Sequence, residues 1–200
     1  MAQNAKEPYS TRDKILKTAL SLFSKKGYLG ATTREIAKEA GLAEVTLFRY
    51  FPSKEMLFEE VINIHSFLPT LKGVLPDVKR MSYENALITI ATRFLETLTL
   101  RKDLIRIMHS EIQRYPEKIQ KIYHALIDET LKTLASYFSQ MQKKEVMREF
   151  DVDFAAHAFL GMFFSYFNTE ELLMRKRYRT ANVDLLIKEF VKIFVKGTLK

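Results

Sequence analysis

Apolar residues recur along this chain at intervals of three and four, and stretches of strict alternation are missing. Ile15, Leu16, Ala19, Leu20, Leu22 and Phe23 make one broad face, the pattern of an amphipathic helix. Ser10 and Asp13 are spaced as a near capping box at its start. Lys25 and Lys26 suit its negative end, and Gly27 closes it. A second, short helix carries Ile36, Ala37 and Ala40. Thr32 and Glu35 have the spacing of a capping box there, and Gly41 supplies the residue past the end that can take positive φ. Val45, Leu47 and Phe48 continue into a third helix that Pro52 ends, with Leu47, Phe48 and Phe51 read as core. A fourth helix starts at Ser53 and runs to about Ser66, after which Pro69, Gly73 and Pro76 mark a loop.

The pattern resumes over 82–100, 103–113 and 115–141, and a charged connector follows at 143–150. The eighth predicted helix, capped by Asp151 or Asp153 and reading Phe154 to Phe167, is apolar almost all round, so it is buried on more than one side. Residues 170–180 read as an exposed polar and basic loop. The ninth predicted helix, 184–196, is apolar over more than half its circumference. The expected fold is all-α, with about nine helices. Residues 1–9 read as a disordered tail, 10–52 as a helix-turn-helix domain and 53–200 as a helical bundle.

Spelling sharpens this plan. Thr32-Thr-Arg-Glu-Ile-Ala, then Ala40-Gly-Leu, then Thr46-Leu-Phe-Arg-Tyr-Phe-Pro-Ser-Lys-Glu-Met-Leu57 closely resembles the DNA-binding domain of the TetR/AcrR family of bacterial transcriptional repressors. The resemblance is close over the first quarter of the chain and architectural over the remainder. Thr33 and Arg34 fall in the first turn of the second helix, where backbone N–H groups favour a phosphate. Lys54 does the same at the start of the fourth helix, and Tyr50 can donate its hydroxyl to a phosphate. The resemblance implies that Glu44, Val45, Thr46 and Arg49 face base edges. Arg49 suits guanine, Thr46 a thymine methyl or a phosphate, and Glu44 a cytosine amino group. Glu44 reads equally as a solvated first-turn carboxylate. Two departures from the family pattern stand out. Ala43 occupies a cap position where Ser is frequent, weakening the cap by about 1 kcal/mol, and Glu44 replaces a frequently basic or polar residue.

Charge fits this reading without deciding it. Residues 1–54 hold ten Lys and Arg against five Asp and Glu, so five of the net eight positive charges lie in that quarter. Phosphate neutralisation needs such a segment, although surface lysines for solubility produce the same count. With no cysteine there is no disulfide, thiolate metal site or cysteine nucleophile. The six glycines form no phosphate loop, and His65, His109, His124 and His157 are scattered without an i, i+4 pair. An enzyme, a metal site and a cofactor are therefore not expected. The N-terminus lacks a signal-peptide core, and Phe154–Phe167 is shorter than the roughly 20 residues of a membrane span. The expected location is the cytoplasm.

For residues 53–200 the resemblance implies a regulatory, ligand-binding and dimerisation domain with an effector pocket between its helices. Phe94, Met108, Tyr123, Phe159, Met162, Phe163 and Tyr166 are its apolar candidates, most of them core by their spacing. His109 and Glu111 are the polar groups that would orient an apolar ligand. The eighth and ninth predicted helices carry more apolar surface than one core can use, which points to a homodimer through them. The expected function is a repressor that binds a palindromic operator as a dimer and is released by a small apolar effector. The rivals are a DNA-binding regulator or architectural protein without an effector, and a helical enzyme with a basic N-terminus.

Overall fold

The computed structural model describes residues 10–173 and 182–200. The expected tail at 1–9 and most of the expected loop at 170–180 lie outside the described residues. In chain order the α-helices are α1 (Thr11–Gly30), α2 (Thr33–Glu39), α3 (Glu44–Tyr50), α4 (Lys54–His65), α5 (Phe67–Val78), α6 (Tyr83–Leu100), α7 (Lys102–Glu111), α8 (Glu117–Lys143), α9 (Val152–Phe167) and α10 (Val183–Thr198). Among the described residues there is no strand, only an isolated antiparallel bridge between Met147 and Leu199. The fold is all-α, with a helix-turn-helix at its start.

These helices form two compact units. The first comprises residues 10–64 and 103–123, and so reaches past the helix-turn-helix segment to take in α7 and the start of α8. The second comprises the remaining described residues of 65–102 and 124–200.

In the first unit, Ser10 begins α1 with a full capping box. Its hydroxyl accepts from the Asp13 N–H at 3.1 Å, and the Asp13 carboxylate accepts from the Ser10 N–H at 3.2 Å. Gly27 breaks α1 with φ 70°. A Cβ there would collide with the Glu111 carboxylate and stand 3.0 Å from the Tyr115 hydroxyl. Only glycine meets both demands, left-handed backbone and close approach. Behind it, Phe23 and Tyr28 each meet Phe58 at 5.1 Å between ring centroids, and Tyr28 meets Tyr115 at 5.8 Å, all in the edge-on geometry that aromatic quadrupoles favour.

The second unit is built on α6, which packs against α5, α9 and α10. Phe159 is its aromatic centre, touching Phe163 at 5.2 Å, Phe194 at 5.0 Å and Phe138 at 6.1 Å. The Tyr83 and Thr198 hydroxyls, 3.1 Å apart, tie α6 to α10.

Three expectations about the elements and their caps need correction. The loop expected around Pro69, Gly73 and Pro76 is α5. Ser66 caps it by accepting from the Leu68 N–H at 3.3 Å. Pro69 sits in the first turn, where no N–H is required, and Pro76 in the last. Phe67, Leu68, Leu71 and Val78 are its buried face. The exposed loop expected from 170 instead opens as a π-turn over Asn168–Leu172 with Glu170 buried. The capping box at Thr32 is only half made. Thr32 accepts from the Glu35 N–H at 3.1 Å, but the Glu35 carboxylate pairs with Lys26.

Candidate nucleic-acid interface

The interface is set by the turn between α2 and α3. Gly41 adopts φ 72°. The Leu42 N–H donates to the Ala37 carbonyl at 2.9 Å, and the Gly41 N–H to that of Lys38 at 3.1 Å. This is a Schellman closure, which satisfies the last carbonyls of α2 and aims the chain into α3. Ala43 begins α3 without a side-chain cap. Glu44 in the first turn favours the positive end of the helix, and its carboxylate accepts from the Thr33 hydroxyl at 2.7 Å. Two residues expected to face DNA thus bond each other and hold α2 and α3 in register.

α3 is two-sided. Leu47 is fully buried, and Phe51 just past the helix nearly so, whereas Val45 is 76% exposed. Arg49 and Arg34 are exposed, Thr33 and Thr46 half-buried. Phe48 is not core as expected but 41% exposed. It follows Val45 by three residues and so shares its face, while Leu47 and Phe51, four apart, share the opposite one. That spacing was visible in the sequence. Tyr50 is half in solvent, with the Arg49 guanidinium 5.8 Å from its ring centroid.

α4 starts with the Ser53 hydroxyl accepting from the Met56 N–H at 3.2 Å. The Lys54 ammonium lies 4.4 Å from the centroid of the Tyr28 ring, a cation–π contact, and burial lowers its pKa. The Tyr28 hydroxyl donates to Glu55 at 2.8 Å. Bonds from its own backbone N–H, from Tyr28 and from Ser53 hold the Glu55 carboxyl below the usual range. The Tyr28 N–H donates to the Tyr115 hydroxyl at 3.2 Å, which donates to Glu111 at 3.2 Å. Sequence reasoning missed this set. Tyr115 is 87 residues from Tyr28, and no local spacing signals such a pair.

The expected effector residues divide between the units. Met108, His109, Glu111 and Tyr123 belong to the first, with Met108 buried, His109 exposed, and Glu111 against Gly27 and Tyr115. Phe94, Phe159, Met162, Phe163 and Tyr166 belong to the second. There Phe94 meets Phe67 at 4.8 Å between ring centroids with the rings tilted, Phe159 and Phe163 are fully buried together, and Met162 and Tyr166 are half-buried. An open groove of about 340 Å³ lies elsewhere in the second unit, between α5 and α8, and none of these nine residues lines it. Among the described residues no three His, Asp or Glu side chains gather as a metal site, and no helix is long and apolar enough to cross a membrane.

Comparison with known proteins matches both parts. Residues 15–61 fit the family described as bacterial regulatory proteins, tetR family, and residues 85–197 fit the AefR-like transcriptional repressor, C-terminal domain. The chain is 30% identical to the uncharacterized HTH-type transcriptional regulator YvkB of Bacillus subtilis, over 94% of this chain and 96% of that one. The Flavonoid-responsive Regulator FrrA is 27% identical with a TM-score of 0.69, covering 94% of this chain and 97% of its own. The transcriptional regulator FadR from Bacillus subtilis, in complex with stearoyl-CoA, shares the fold at a TM-score of 0.74 and 18% identity, over 92% and 97% of the two chains.

Proposed function

The chain belongs to the TetR family of bacterial regulatory proteins, a DNA-binding transcriptional regulator and not an enzyme, and from that premise we propose that it is a repressor that binds a palindromic operator as a homodimer and is released by a small effector with an apolar body. The observation that carries the DNA reading is the two-sidedness of α3. Leu47 anchors one side, and the other holds Val45 at 76% exposure beside the exposed Arg49. A valine so exposed has nothing to gain in water, whereas thymine methyl groups in a major groove offer it an apolar partner.

In this reading Arg49 and Val45 meet base edges, with Thr46 and Glu44 beside them. Arg34, Thr33, Tyr50 and Lys54 meet phosphates, Thr33 and Lys54 after giving up their present partners Glu44 and Tyr28. Dimerisation is assigned to α9 and α10. They leave Phe154 76%, Leu185 56% and Ile193 63% exposed in the single chain, and an obligate interface over such surface buries upwards of roughly 2,000 Å² in total. An effector fits the likeness to FrrA, which is described as flavonoid-responsive. It acts if it binds the DNA-incompetent arrangement better than the competent one.

Selection of bound sequences from random duplex DNA tests the proposal. The expected product is two inverted half-sites centred about one helical turn, roughly 34 Å, apart. Arg49→Ala is expected to cost about 1–3 kcal/mol per half-site and to relax preference at one base pair. Enrichment without dyad symmetry, or specificity untouched by the Arg49 change, would overturn it.

A further inference from the structure

We propose that the groove between α5 and α8 is the effector site of this regulator and that its ligand is a small amphipathic carboxylate. This rests on the effector-responsive reading above and adds to it a place and a ligand chemistry. At about 340 Å³ the groove falls within the size range of small-molecule sites. Leu75 and the ring of Tyr137 give it an apolar floor.

Three donors in its lining, Lys79, Lys132 and Tyr137, have no acceptor among the described residues. Lys79 and Lys132 line it, and neither pairs with a carboxylate among the described residues. The acid in the lining, Glu129, is taken by Lys72 at 2.6 Å. Thr133 donates its hydroxyl to the Glu129 carbonyl at 2.7 Å and so makes no demand on a ligand. Tyr137 is the second, independent sign. Its side chain is 98% buried, yet its hydroxyl has no hydrogen-bond partner among the described residues and is not sealed from the groove it lines. A phenol that has no partner in the protein and that the groove can reach is a donor open to whatever binds there. Burial, with the neighbouring Tyr83 adding, pushes Tyr137 up to about 12, so the phenol remains a donor at every physiological pH.

Two ammonium groups and one phenolic O–H around an apolar floor match one chemistry. A carboxylate accepts from all three, and the alkyl or aryl body attached to it covers Leu75 and the tyrosine ring. A neutral apolar molecule would leave both lysines without an anion. A bare inorganic anion would leave the floor wet. The groove is also placed to matter. α5 follows α4 after the single residue Ser66, and α4 begins at Lys54, next to the recognition helix in sequence. A ligand that favours one setting of α5 acts on the helix that leads directly to the DNA-binding residues, and the coupling must be reciprocal.

Isothermal titration of the full chain with octanoate, 1-octanol and inorganic phosphate tests the assignment, with the melting temperature of each unliganded variant as a check of folding. Octanoate is expected to bind at least about tenfold more tightly than either control, the size of a charge-assisted bond. Lys79→Gln with Lys132→Gln, both at exposed positions, is expected to remove at least that factor for octanoate and none for 1-octanol. Tyr137→Phe is expected to weaken octanoate alone, by several-fold. Octanoate binding that is no tighter than either control, or that survives the double lysine change, overturns the site. Repeating the titration on the complex with the selected operator separates the two proposals. Weaker octanoate binding in the presence of DNA supports both. Groove-dependent binding that DNA leaves unchanged keeps the site and removes its role as effector site.

Discussion

In the unit that carries α3, the ring cluster includes two tyrosines that end on carboxylates; in the unit that carries α9 and α10, the central rings are all phenylalanines. Tyr28 bonds Glu55, Tyr115 accepts from the Tyr28 backbone, and Tyr115 in turn bonds Glu111. The other unit centres on Phe138, Phe159, Phe163 and Phe194, which carry no polar tip at all. Directional bonds weaken steeply when their angle is wrong, so the first set admits one arrangement. Contact between hydrocarbon surfaces depends on area more than on angle, so the second tolerates sliding and repacking. A unit that must hold a recognition helix at a set angle gains from the first kind of cohesion. One that responds to a ligand, as we propose for the second unit, gains from the second.

The sharpest way to break the comparison is to remove its aromatic centre. Phe159→Ala is expected to destabilise the protein by about 3–5 kcal/mol in chemical denaturation, because the side chain is fully buried among other rings. A loss below about 1 kcal/mol would mean that the rings are not what holds the second unit. Next in size is Gly27→Ala, expected to cost about 2 kcal/mol or more, since a left-handed backbone and a collision with Glu111 are imposed together. Adding Glu111→Ala should recover the collision and leave about 1 kcal/mol of backbone strain; no recovery would show that the close approach is not tight. Tyr115→Phe leaves the Tyr28 N–H without its acceptor and is expected to cost about 1–2 kcal/mol. Hydrogen exchange should then quicken at Tyr28 and not at α9, and uniform quickening would erase the distinction between the units.

The smallest effect is one of pH. His65 Nδ1 lies 3.0 Å from the Arg101 guanidinium, and burial, then that charge, lowers its pKa. The unfolded chain therefore takes up a proton near the ordinary histidine value of about 6.5 before the folded one does. Stability from this group is complete above that pH and falls as pH drops towards the depressed folded value. Denaturation midpoints between pH 7.5 and pH 5.5 should slope downwards, and His65→Gln should flatten the slope. An unchanged slope would place the titration elsewhere.

How legible the two units were in the sequence follows from the range of their contacts. The α2–α3 turn could be read because Thr32, Glu35, Gly41 and Ala43 act on backbone within four residues of themselves. Phe48 reads as core by its hydrophobicity, but its spacing from Val45 puts it on the exposed face. α5 was hidden because prolines read as breakers, although Pro69 falls in a first turn that has no use for its N–H. Lys54 gave no hint of its place on the Tyr28 ring, and Glu111 none of its place against Gly27, since both depend on contacts across long stretches of chain. The α5–α8 groove combines both difficulties: one wall lies where no helix was expected, and the other is more than fifty residues away.

Tyr115 also has a bearing on the order of events as the protein is made. Chains emerge from the ribosome N-terminus first, at about 5–20 residues per second. The helix-turn-helix is complete by Tyr50, but the hydroxyl that accepts from Tyr28 arrives only with residue 115, after the whole of α5 and α6. Closing so long a loop delays the contact, since its entropy cost precedes any gain. The nascent segment 10–64 is therefore expected to wait with its own Phe58, Lys54 and Glu55 on Tyr28 but without Tyr115 on the Tyr28 N–H or Glu111 against Gly27, while the ribosome finishes α7. Cutting the gene after codon 64 would release a fragment held in that unfinished state, and grafting residues 10–64 onto another regulator would carry the recognition helix without the late-arriving piece that steadies it.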